Sequence, residues 1–295
     1  MANILITGCS SGFGLQAAKD LAERGHTVFA TMRGVDAKNL AAASELATFG
    51  VENGLSLHVG ELDVTSEASV EAAVGEMMEK AGSIDVVVNN AGQMFLGITE
   101  AFTSDDLARQ LDINVVGPFR LCRAALPHMR AQGSGLVINV SSIAGRLAVP
   151  FFGVYHASKW GLEGLSESLR YELSGFGVEV VLVQPGPFTT NLFPRSPRPT
   201  DHATEEQYGE LNNVLEGMSG AFDEVFEDPE VPTDPQLVVD AIVELVEMPA
   251  GTRPIRTVVG IDFGGARAIN DATDPHRRTV LENMGMLHMD SVEID

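Results

Sequence analysis

The chain has 295 residues, 44% of them hydrophobic, and its 19 basic and 41 acidic side chains give a formal net charge of −22 at pH 7. This composition excludes a disordered polyelectrolyte, and the acidic balance argues against binding to nucleic acid or to an anionic membrane surface. Two cysteines are too few for a disulfide framework, no window approaches the roughly 18 apolar residues of a membrane span, and no leader-like segment opens the chain. We therefore expect a soluble, cytoplasmic α/β protein.

Short apolar runs alternate with helical segments along the chain. Between the runs, segments such as 15–21 and 70–78 have the 3.6-residue apolar spacing of amphipathic helices. This alternation predicts right-handed crossovers and a doubly wound parallel sheet with helices on both faces, and the unbroken run Val86–Val88 indicates a strand buried on both sides. The predicted strands lie near 4–7, 27–32, 55–59, 85–89, 136–140, 178–184 and 257–260.

The first predicted strand ends in a glycine-rich turn, Thr7–Gly14, that opens the first helix. Glycines let the backbone approach a ligand closely, and the N–H groups and positive dipole end of a helix favour a pyrophosphate. The spacing is G-x-x-x-G-x-G instead of the common dinucleotide fingerprint G-x-G-x-x-G, so the turn alone is also consistent with a simple tight bend. The candidate cofactor contacts in it are Gly8, Ser10, Ser11, Gly12, Phe13 and Gly14.

The end of the second predicted strand bears on the choice of cofactor. An acidic residue there would bind a ribose diol and repel a 2′-phosphate, but the chain reads Ala30-Thr31-Met32-Arg33. The planar guanidinium of Arg33 is suited to a 2′-phosphate, which favours NADP(H) over NAD(H). The alternative is a solvated loop arginine.

Later strand ends add further candidates for cofactor contacts. Asp63 follows the third predicted strand, where its carboxylate is expected to accept a hydrogen bond from an adenine amino group or to cap the next helix. Small residues follow the fourth and sixth strands, at the carboxyl edge where open α/β sheets bind ligands. These candidates are Asp63, Val64, Asn90, Ala91, Gly92, Pro185, Gly186, Phe188 and Thr190.

Tyr155 and Lys159 lie one turn apart on a helix predicted to continue to about residue 173. A free tyrosine has a pKa of about 10, and a neighbouring ammonium lowers that pKa by Coulomb attraction. Tyr155 would then exchange a proton with a hydroxyl or carbonyl group while a cofactor exchanges hydride. Ser142, at the end of the fifth strand, would hydrogen-bond the substrate oxygen. A Tyr/Lys pair at this spacing is common on helices, so the assignment depends on its context.

A helix predicted over 104–131 contains Gly117-Pro118. Because proline has no N–H, the Asn114 carbonyl loses its helical partner. A freed carbonyl can hold a water that connects Lys159 to solvent and so replaces the proton that Tyr155 delivers. The alternative is a packing kink.

Together these motifs resemble the short-chain dehydrogenase/reductase family over about residues 3–264, and segments 7–14 and 28–33 are most similar to the branch of 17β-hydroxysteroid and retinol dehydrogenases. The resemblance implies a single Rossmann-type domain with a seven-stranded parallel sheet and a nicotinamide cofactor. It implies a catalytic tetrad of Asn114, Ser142, Tyr155 and Lys159. Tyr155 and Lys159 would also contact the cofactor, with Lys159 holding the nicotinamide ribose and Thr190 near the carboxamide. Homodimers or homotetramers built on the helices at 104–131 and 155–174 are also implied.

Two segments depart from that family. Residues 201–250 contain 14 acidic and no basic side chains, which argues against substrates or partners that carry phosphate or carboxylate there. We assign 188–235 as a substrate loop or lid within the domain 1–264, and 265–295 as a C-terminal extension that covers a neighbouring subunit, folds over the substrate mouth or is disordered. An apolar helical face in the acidic segment predicts either an ordinary surface helix or a lid over an apolar pocket; it comprises Leu211, Val214, Leu215, Met218, Phe222, Val225 and Phe226.

The candidate substrate contacts are mostly apolar, which favours a small uncharged hydrophobic substrate. They are Gln93, Phe95, Ser142, Phe152, Tyr155 and Phe193. The seven histidines have no metal-ligand spacing, so no catalytic metal is expected.

The leading prediction is an NADP(H)-dependent oxidoreductase that interconverts a hydrophobic ketone or aldehyde and its alcohol. The alternatives are an NAD(H)-dependent alcohol or hydroxysteroid-type dehydrogenase working in the oxidative direction, and a non-enzymatic cofactor sensor.

Overall fold

The computed structural model describes residues 1–190, 192, 195–228 and 231–292. Within them, seven parallel strands form one sheet in the order β3-β2-β1-β4-β5-β6-β7. All seven predicted strands are confirmed, each within two residues of its expected limits. Their bounds are β1 Asn3–Thr7, β2 Thr27–Met32, β3 Leu57–Glu61, β4 Val86–Asn89, β5 Gly135–Val140, β6 Val178–Pro185 and β7 Arg256–Val259.

Helices cover both faces of the sheet, as predicted. Their bounds are α1 Gly12–Glu23, α2 Leu40–Glu52, α3 Glu67–Ala81, α4 Ser104–Leu111, α5 Gly117–Gln132, α6 Gly153–Leu173, α7 His202–Gln207, α8 Leu211–Glu227, α9 Gln236–Glu247 and α10 Ala266–Asn283. Alternate residues of β1 belong to different core layers. Ile4 and Ile6 lie in the layer packed by α1, α2 and α9, whereas Leu5 lies in the layer packed by α3 and α5.

The order of the strands determines where in the sheet a ligand-binding crevice lies. From β1, the chain first moves outward to β2 and β3 and then returns to place β4 on the other side of β1. Helices that follow β1 and β4 therefore lie on opposite faces, and a crevice opens at the carboxyl ends of these two strands.

The single helix predicted over 104–131 is interrupted by a π-helical turn, Asp112–Val116, between α4 and α5. The N–H of Gly117 donates to the carbonyl of Asp112, five residues earlier. Pro118 follows in the first turn of α5, where its missing N–H is tolerated. A Cβ on Gly117 would lie 2.9 Å from Cβ of Val64, so the turn packs closely against the segment after β3. The interruption is thus a π turn and not a simple kink.

The C-terminal extension folds back on its own chain. Asn270 Nδ2 on α10 donates to Gln184 Oε1 on β6 over 2.7 Å, and Arg146 donates to Thr273 Oγ1 over 2.7 Å. Arg277 donates to the hydroxyl of Tyr171 on α6. Through residue 292, α10 and the short turn after it therefore pack against α6 and the β6–β7 edge.

Within the described part of the chain, none of the helices combines the length and apolar character needed to cross a bilayer.

Candidate active site

A cavity of about 530 Å³ follows the carboxyl ends of the strands. Four of its lining side chains are cationic (Arg33, Lys38, Lys159 and Arg195), and one, that of Asp63, is a carboxylate. The cavity is therefore basic in a chain whose formal net charge is −22. Such a local excess of positive charge favours an anionic ligand.

Hydrogen bonds hold the glycine-rich turn after β1 against the end of β4. Asn90 Nδ2 donates to the Thr7 carbonyl over 2.8 Å, and Thr7 Oγ1 accepts the N–H groups of Asn90 and Ala91 over 3.1 and 3.0 Å. Gly8 has φ +77°, and a Cβ there would lie 2.8 Å from Cα of Ala91. Only glycine meets both conditions, so the sequence of the turn fixes this close approach of two strand ends.

The N-terminus of α1 opens into the cavity, which Ser10, Ser11, Gly12 and Phe13 line. Ser11 is the N-cap residue, and its side chain makes no capping hydrogen bond. Gly12 has φ +59°, and a Cβ there would meet nothing within 4 Å. Uncapped helix N–H groups beside open space are the arrangement that binds phosphate, so these residues fit the pyrophosphate of a dinucleotide.

Gly14, predicted as a cofactor contact, lies away from the cavity surface, unlike the other residues of the turn that line it. It is buried and does not line the cavity. A Cβ at this position would lie 2.4 Å from Asn90 Nδ2 and 2.7 Å from the Gly8 carbonyl oxygen. Gly14 therefore serves the packing of α1 against the turn, and a cofactor contact at this position stays a prediction.

Gly14→Ala is expected to lower the free energy of unfolding by about 2 kcal/mol, because the added methyl group displaces the Asn90 side chain from a tightly packed site. Urea denaturation followed by circular dichroism measures this change. Gly75→Ala is the matched control, because a Cβ on this exposed residue of α3 meets nothing within 4 Å, and there we expect equal or greater stability. Equal stability of Gly14→Ala and the native chain would contradict the packing role.

Arg33 and Lys38 lie with Asp63 at one end of the cavity lining. Asp63 Oδ1 accepts the N–H and the hydroxyl of Thr65 over 2.9 and 2.7 Å. Burial alone would raise the pKa of Asp63, but these hydrogen bonds and the charges of Arg33 and Lys38 lower it. Asp63 thus orders its own turn, while Ser66 caps α3. Sequence reasoning missed Lys38, although a second cation five residues after Arg33 was a readable signal.

Ser142, Tyr155 and Lys159 line the cavity together. Ser142 follows β5 and caps a short 3₁₀ turn, Ile143–Gly145, by accepting the Ala144 N–H over 3.1 Å. Tyr155 and Lys159 occupy the first two turns of α6, and both are buried. The Lys159 Nζ atom lies 5.8 Å from the centre of the Tyr155 ring and donates to the Val140 carbonyl over 2.8 Å.

Burial dominates the acid–base properties of these groups. It raises the pKa of Tyr155 to about 12, partly offset by a hydrogen bond with Ser142. Burial also lowers the pKa of Lys159 to about 8, an effect that the negative charge of Glu163 opposes. The expectation that Lys159 brings the pKa of Tyr155 below its ordinary value is therefore wrong for the cofactor-free chain, because burial of the phenol raises that pKa by more than the hydrogen bond with Ser142 lowers it.

Asn114 lies in the π turn, behind the cavity wall. Its side chain donates to the Gln93 carbonyl over 2.9 Å and to Ser158 Oγ over 3.0 Å, and it accepts the Gln93 N–H over 3.0 Å. Asn114 does not itself line the cavity, but Gln93 does. Its side chain thus fixes a wall residue, and the role of its carbonyl in proton supply stays a prediction.

His156 is a wall residue that sequence reasoning missed. Its Nδ1 lies 2.9 Å from the Ala144 carbonyl oxygen, and its Nε2 accepts the Val149 N–H over 2.9 Å. These hydrogen bonds hold the loop between β5 and α6 in place, and Leu147 and Val149 of this loop line the cavity. No spacing rule points to this role, because it depends on the folded loop.

The predicted substrate contacts that line the cavity are Gln93, Ser142, Phe152 and Tyr155. That they contact a substrate stays a prediction. Phe95 was wrongly assigned: it is fully buried in a separate core cluster, where its ring lies 6.0 Å from that of Phe102. Phe193 lies outside the described residues. Arg195 and Phe263 are among the other lining residues that the sequence analysis did not assign.

The acidic segment packs over the site with part of its predicted apolar face. Leu215 on α8 is buried in the cluster that contains Tyr155 and Phe152, and Met218 packs against it. Phe226, at the other end of α8, lines the cavity. Leu211 and Val214 are exposed, so the predicted face is too wide at this end of the helix. The predicted side chains of Phe222 and Val225 lie outside the described part of the structure. The helix thus contacts the site at Leu215, Met218 and Phe226, and its role as a lid stays a prediction.

The chain matches a known family over most of its length. A model of the short chain dehydrogenase family matches residues 2–200.

Three named relatives align with the chain. It is 40% identical over 189 residues to 3-ketodihydrosphingosine reductase of Bacteroides thetaiotaomicron, an alignment that covers 64% of this chain and 65% of that protein. It is 44% identical over 190 residues to 17-beta-hydroxysteroid dehydrogenase type 1 of Homo sapiens, covering 63% of this chain and 57% of that protein. It is 34% identical over 266 residues to retinol dehydrogenase 8 of Homo sapiens, covering 85% and 78%. The chain thus spans less than two thirds of the length of the first two.

Solved structures extend the similarity over nearly the whole chain. A short-chain dehydrogenase from Streptomyces avermitilis superposes with a TM-score of 0.72 at 30% identity, covering 96% of each chain. An actinorhodin polyketide ketoreductase variant with NADPH superposes with a TM-score of 0.71 at 27% identity, covering 87% of this chain and 94% of that one.

Proposed function

The chain belongs to the short chain dehydrogenase family, and we propose that it is an NADP(H)-dependent oxidoreductase that interconverts a small, uncharged hydrophobic ketone or aldehyde and its alcohol. One observation carries the proposal: Ser142, Tyr155 and Lys159 line the same cavity as Arg33 and the open N-terminus of α1. A proton-transfer group and an anion-binding end in one cavity are what hydride transfer with a dinucleotide requires.

Several lining residues would hold the cofactor. The N–H groups at the start of α1 would bind the pyrophosphate, and Arg33 with Lys38 would bind a 2′-phosphate. Lys159 would hold the nicotinamide ribose and Thr190 the carboxamide. The NADPH in the ketoreductase structure supports this class of cofactor, and the two cations after β2 support the phosphorylated form.

When bound, the nicotinamide supplies or accepts the hydride at the substrate carbon. In the reductive direction, Tyr155 donates its hydroxyl proton to the substrate oxygen, so the carbonyl becomes an alcohol and the phenol becomes a phenolate. Ser142 donates a hydrogen bond to the same oxygen and stabilises the negative charge that develops on it. The Lys159 ammonium stabilises the phenolate until a proton returns to it. Oxidation follows the reverse course.

The cavity wall and the acidic lid support the substrate class. Met94, Leu147, Val149 and Phe152 give the substrate end an apolar lining. The acidic segment at 201–250 repels substrates with carboxylate or phosphate groups near the lid. An uncharged hydrophobic carbonyl compound meets both conditions.

Exposed apolar residues on α5 and α6 support an oligomer built on these helices. Phe119 and Trp160 have exposed fractions of 38% and 50%. We therefore propose that the protein forms a homodimer or homotetramer. Sedimentation velocity measures the mass of the species in solution and so distinguishes these states from a monomer.

To test the proposed function, a panel of ketones, aldehydes and alcohols is assayed for turnover, once with NADP(H) and once with NAD(H). The absorbance of the reduced nicotinamide measures each rate. We expect turnover of uncharged hydrophobic compounds with NADP(H), and little turnover of matched compounds that end in a carboxylate. A preference for NAD(H) would contradict the cofactor assignment. Tight cofactor binding with no turnover across the panel would support a cofactor sensor instead.

A further inference from the structure

Glu163 is a buried carboxylate that the proposed reaction does not use. It lies on α6 one helical turn after Lys159, and its side chain is 4% exposed. Its Oε1 accepts a hydrogen bond from Gln184 Nε2 over 2.9 Å, and its Oε2 accepts one from Arg256 Nε over 2.8 Å. Because a buried charge is costly unless it is paired, both bonds explain how the carboxylate is tolerated there. They do not explain why it is beside Lys159.

Lys159 needs a counter-charge. Among the described residues, its ammonium makes one protein hydrogen bond, to a neutral carbonyl, and the carboxylate whose charge favours the ammonium is that of Glu163. The titratable and charged groups that face this pair are Tyr155 on the same helix, Arg256 from β7 and Arg146 from the loop after β5. The end of β5 contributes the Val140 carbonyl.

The surroundings of Glu163 strengthen its field. A Cβ on Gly145 would lie 2.8 Å from Cγ of Glu163, so the backbone of the loop after β5 packs directly against the Glu163 side chain. Water is thereby kept away, and charges in such a site interact more strongly than at the surface. Arg256 also pairs with Glu167, one turn further along α6, whereas Glu163 is the carboxylate whose charge acts on Lys159.

The C-terminal helix is connected to this carboxylate. Asn270 Nδ2 on α10 donates to Gln184 Oε1 over 2.7 Å, and Gln184 is fully buried. Because the Gln184 carbonyl oxygen is occupied by Asn270, its amide nitrogen is directed at Glu163. Hydrogen bonds therefore join α10 to the carboxylate beside Lys159.

We propose that Glu163 is a positioning residue that keeps the buried Lys159 ammonium protonated at neutral pH, and that α10 holds Glu163 in place through Asn270 and Gln184. The significance of this role rests on the proposed function, because it assigns Lys159 to catalysis. The charge coupling itself is measurable in the cofactor-free chain, so failure of one claim is distinguishable from failure of the other.

Lysine titration by NMR tests the proposal, because the sequence contains only Lys19, Lys38, Lys80 and Lys159. Lysine labelled with ¹³C at Cε gives four signals, and the one missing in Lys159→Met belongs to Lys159. In the native chain, we expect its midpoint near its pKa of about 8. Glu163→Gln is expected to move the midpoint down by about 1 pH unit, because the ammonium loses its counter-charge. Glu163→Asp keeps the charge and is expected to keep most of the native midpoint.

Glu167→Gln is the matched control, since it removes a carboxylate from the same helix and the same arginine but leaves Glu163 in place. Its Lys159 midpoint should stay native. An unchanged midpoint in Glu163→Gln, or an equal shift in Glu167→Gln, would overturn the proposal.

If Glu163→Gln fails to fold, Asn270→Ala tests the hydrogen bonds that connect α10 to Glu163. A smaller downward shift of the Lys159 midpoint is expected, and an unchanged midpoint would overturn the proposal. The alkaline limb of kcat/KM should move downward with the midpoint; a moved midpoint without that kinetic change would contradict the role of Lys159 in the proposed function instead.

Discussion

Replacing Tyr155 by phenylalanine is expected to lower kcat at least about 1,000-fold and to leave cofactor affinity almost unchanged. The phenol oxygen is the group that we assign to proton transfer, whereas the ring packs in the cluster with Phe152 and Leu215 and is preserved in the variant. Stopped-flow or steady-state assays measure kcat, and fluorescence titration of the cofactor measures affinity.

Tyr171→Phe is the matched control for this variant. Tyr171 is on the same helix, but its hydroxyl donates to Glu167 and accepts from Arg277, and it does not line the cavity. Removing the Tyr171 hydroxyl should therefore leave kcat near the native value. Substantial turnover by Tyr155→Phe would refute the acid–base assignment.

The second large effect is expected at the basic end of the cavity. Replacing both Arg33 and Lys38 by alanine should lower kcat/KM for NADPH about 100-fold, because the 2′-phosphate loses two charge-assisted partners. With NADH, kcat/KM should change little, since NADH has no 2′-phosphate. Steady-state kinetics with both cofactors at one ionic strength measures the difference.

Lys80→Ala combined with Arg123→Ala gives the same change in net charge away from the cavity, because neither residue lines it. This control should keep the native preference between cofactors. If the native chain prefers NADH, or if the Arg33/Lys38 variant loses activity equally with both cofactors, the assignment of these cations to a 2′-phosphate is wrong.

Local sequence patterns were sufficient for the sheet and for much of the site. The unbroken apolar run at 86–88 indicates a strand covered on both faces, and β4 is fully buried as expected. Ser142, Tyr155 and Lys159 could be brought together from sequence because strand ends in a parallel sheet share one edge and residues four apart share a helix face.

Features that depend on tertiary packing were not predictable in this way. The π turn at 112–116 accompanies a close approach of Gly117 to Val64, two residues far apart in the chain. Phe95 is adjacent in sequence to Met94, yet only Met94 lines the cavity. The direction of the pKa shift at Tyr155 depends on desolvation, which spacing along a helix does not report.

The pKa values give the reaction a specific requirement. In the cofactor-free chain, burial raises the pKa of Tyr155 to about 12, so the phenol is a poor proton acceptor near neutral pH. Lys159 is protonated below its pKa of about 8 and is progressively neutral above it, so its charge is available to stabilise phenolate only on the acidic side of that value. When bound beside Tyr155, an oxidised nicotinamide would stabilise the phenolate further through its positive charge.

Ultraviolet difference titration of Tyr155 tests this central claim most directly, because the chain contains only three tyrosines. In a Tyr171→Phe/Tyr208→Phe chain, the absorbance of phenolate reports Tyr155 alone. Without cofactor, we expect no phenolate across the pH range in which the fold is stable. With saturating NADP⁺, we expect ionisation to begin several pH units lower. A tyrosine that stays un-ionised equally with and without NADP⁺ would contradict the account.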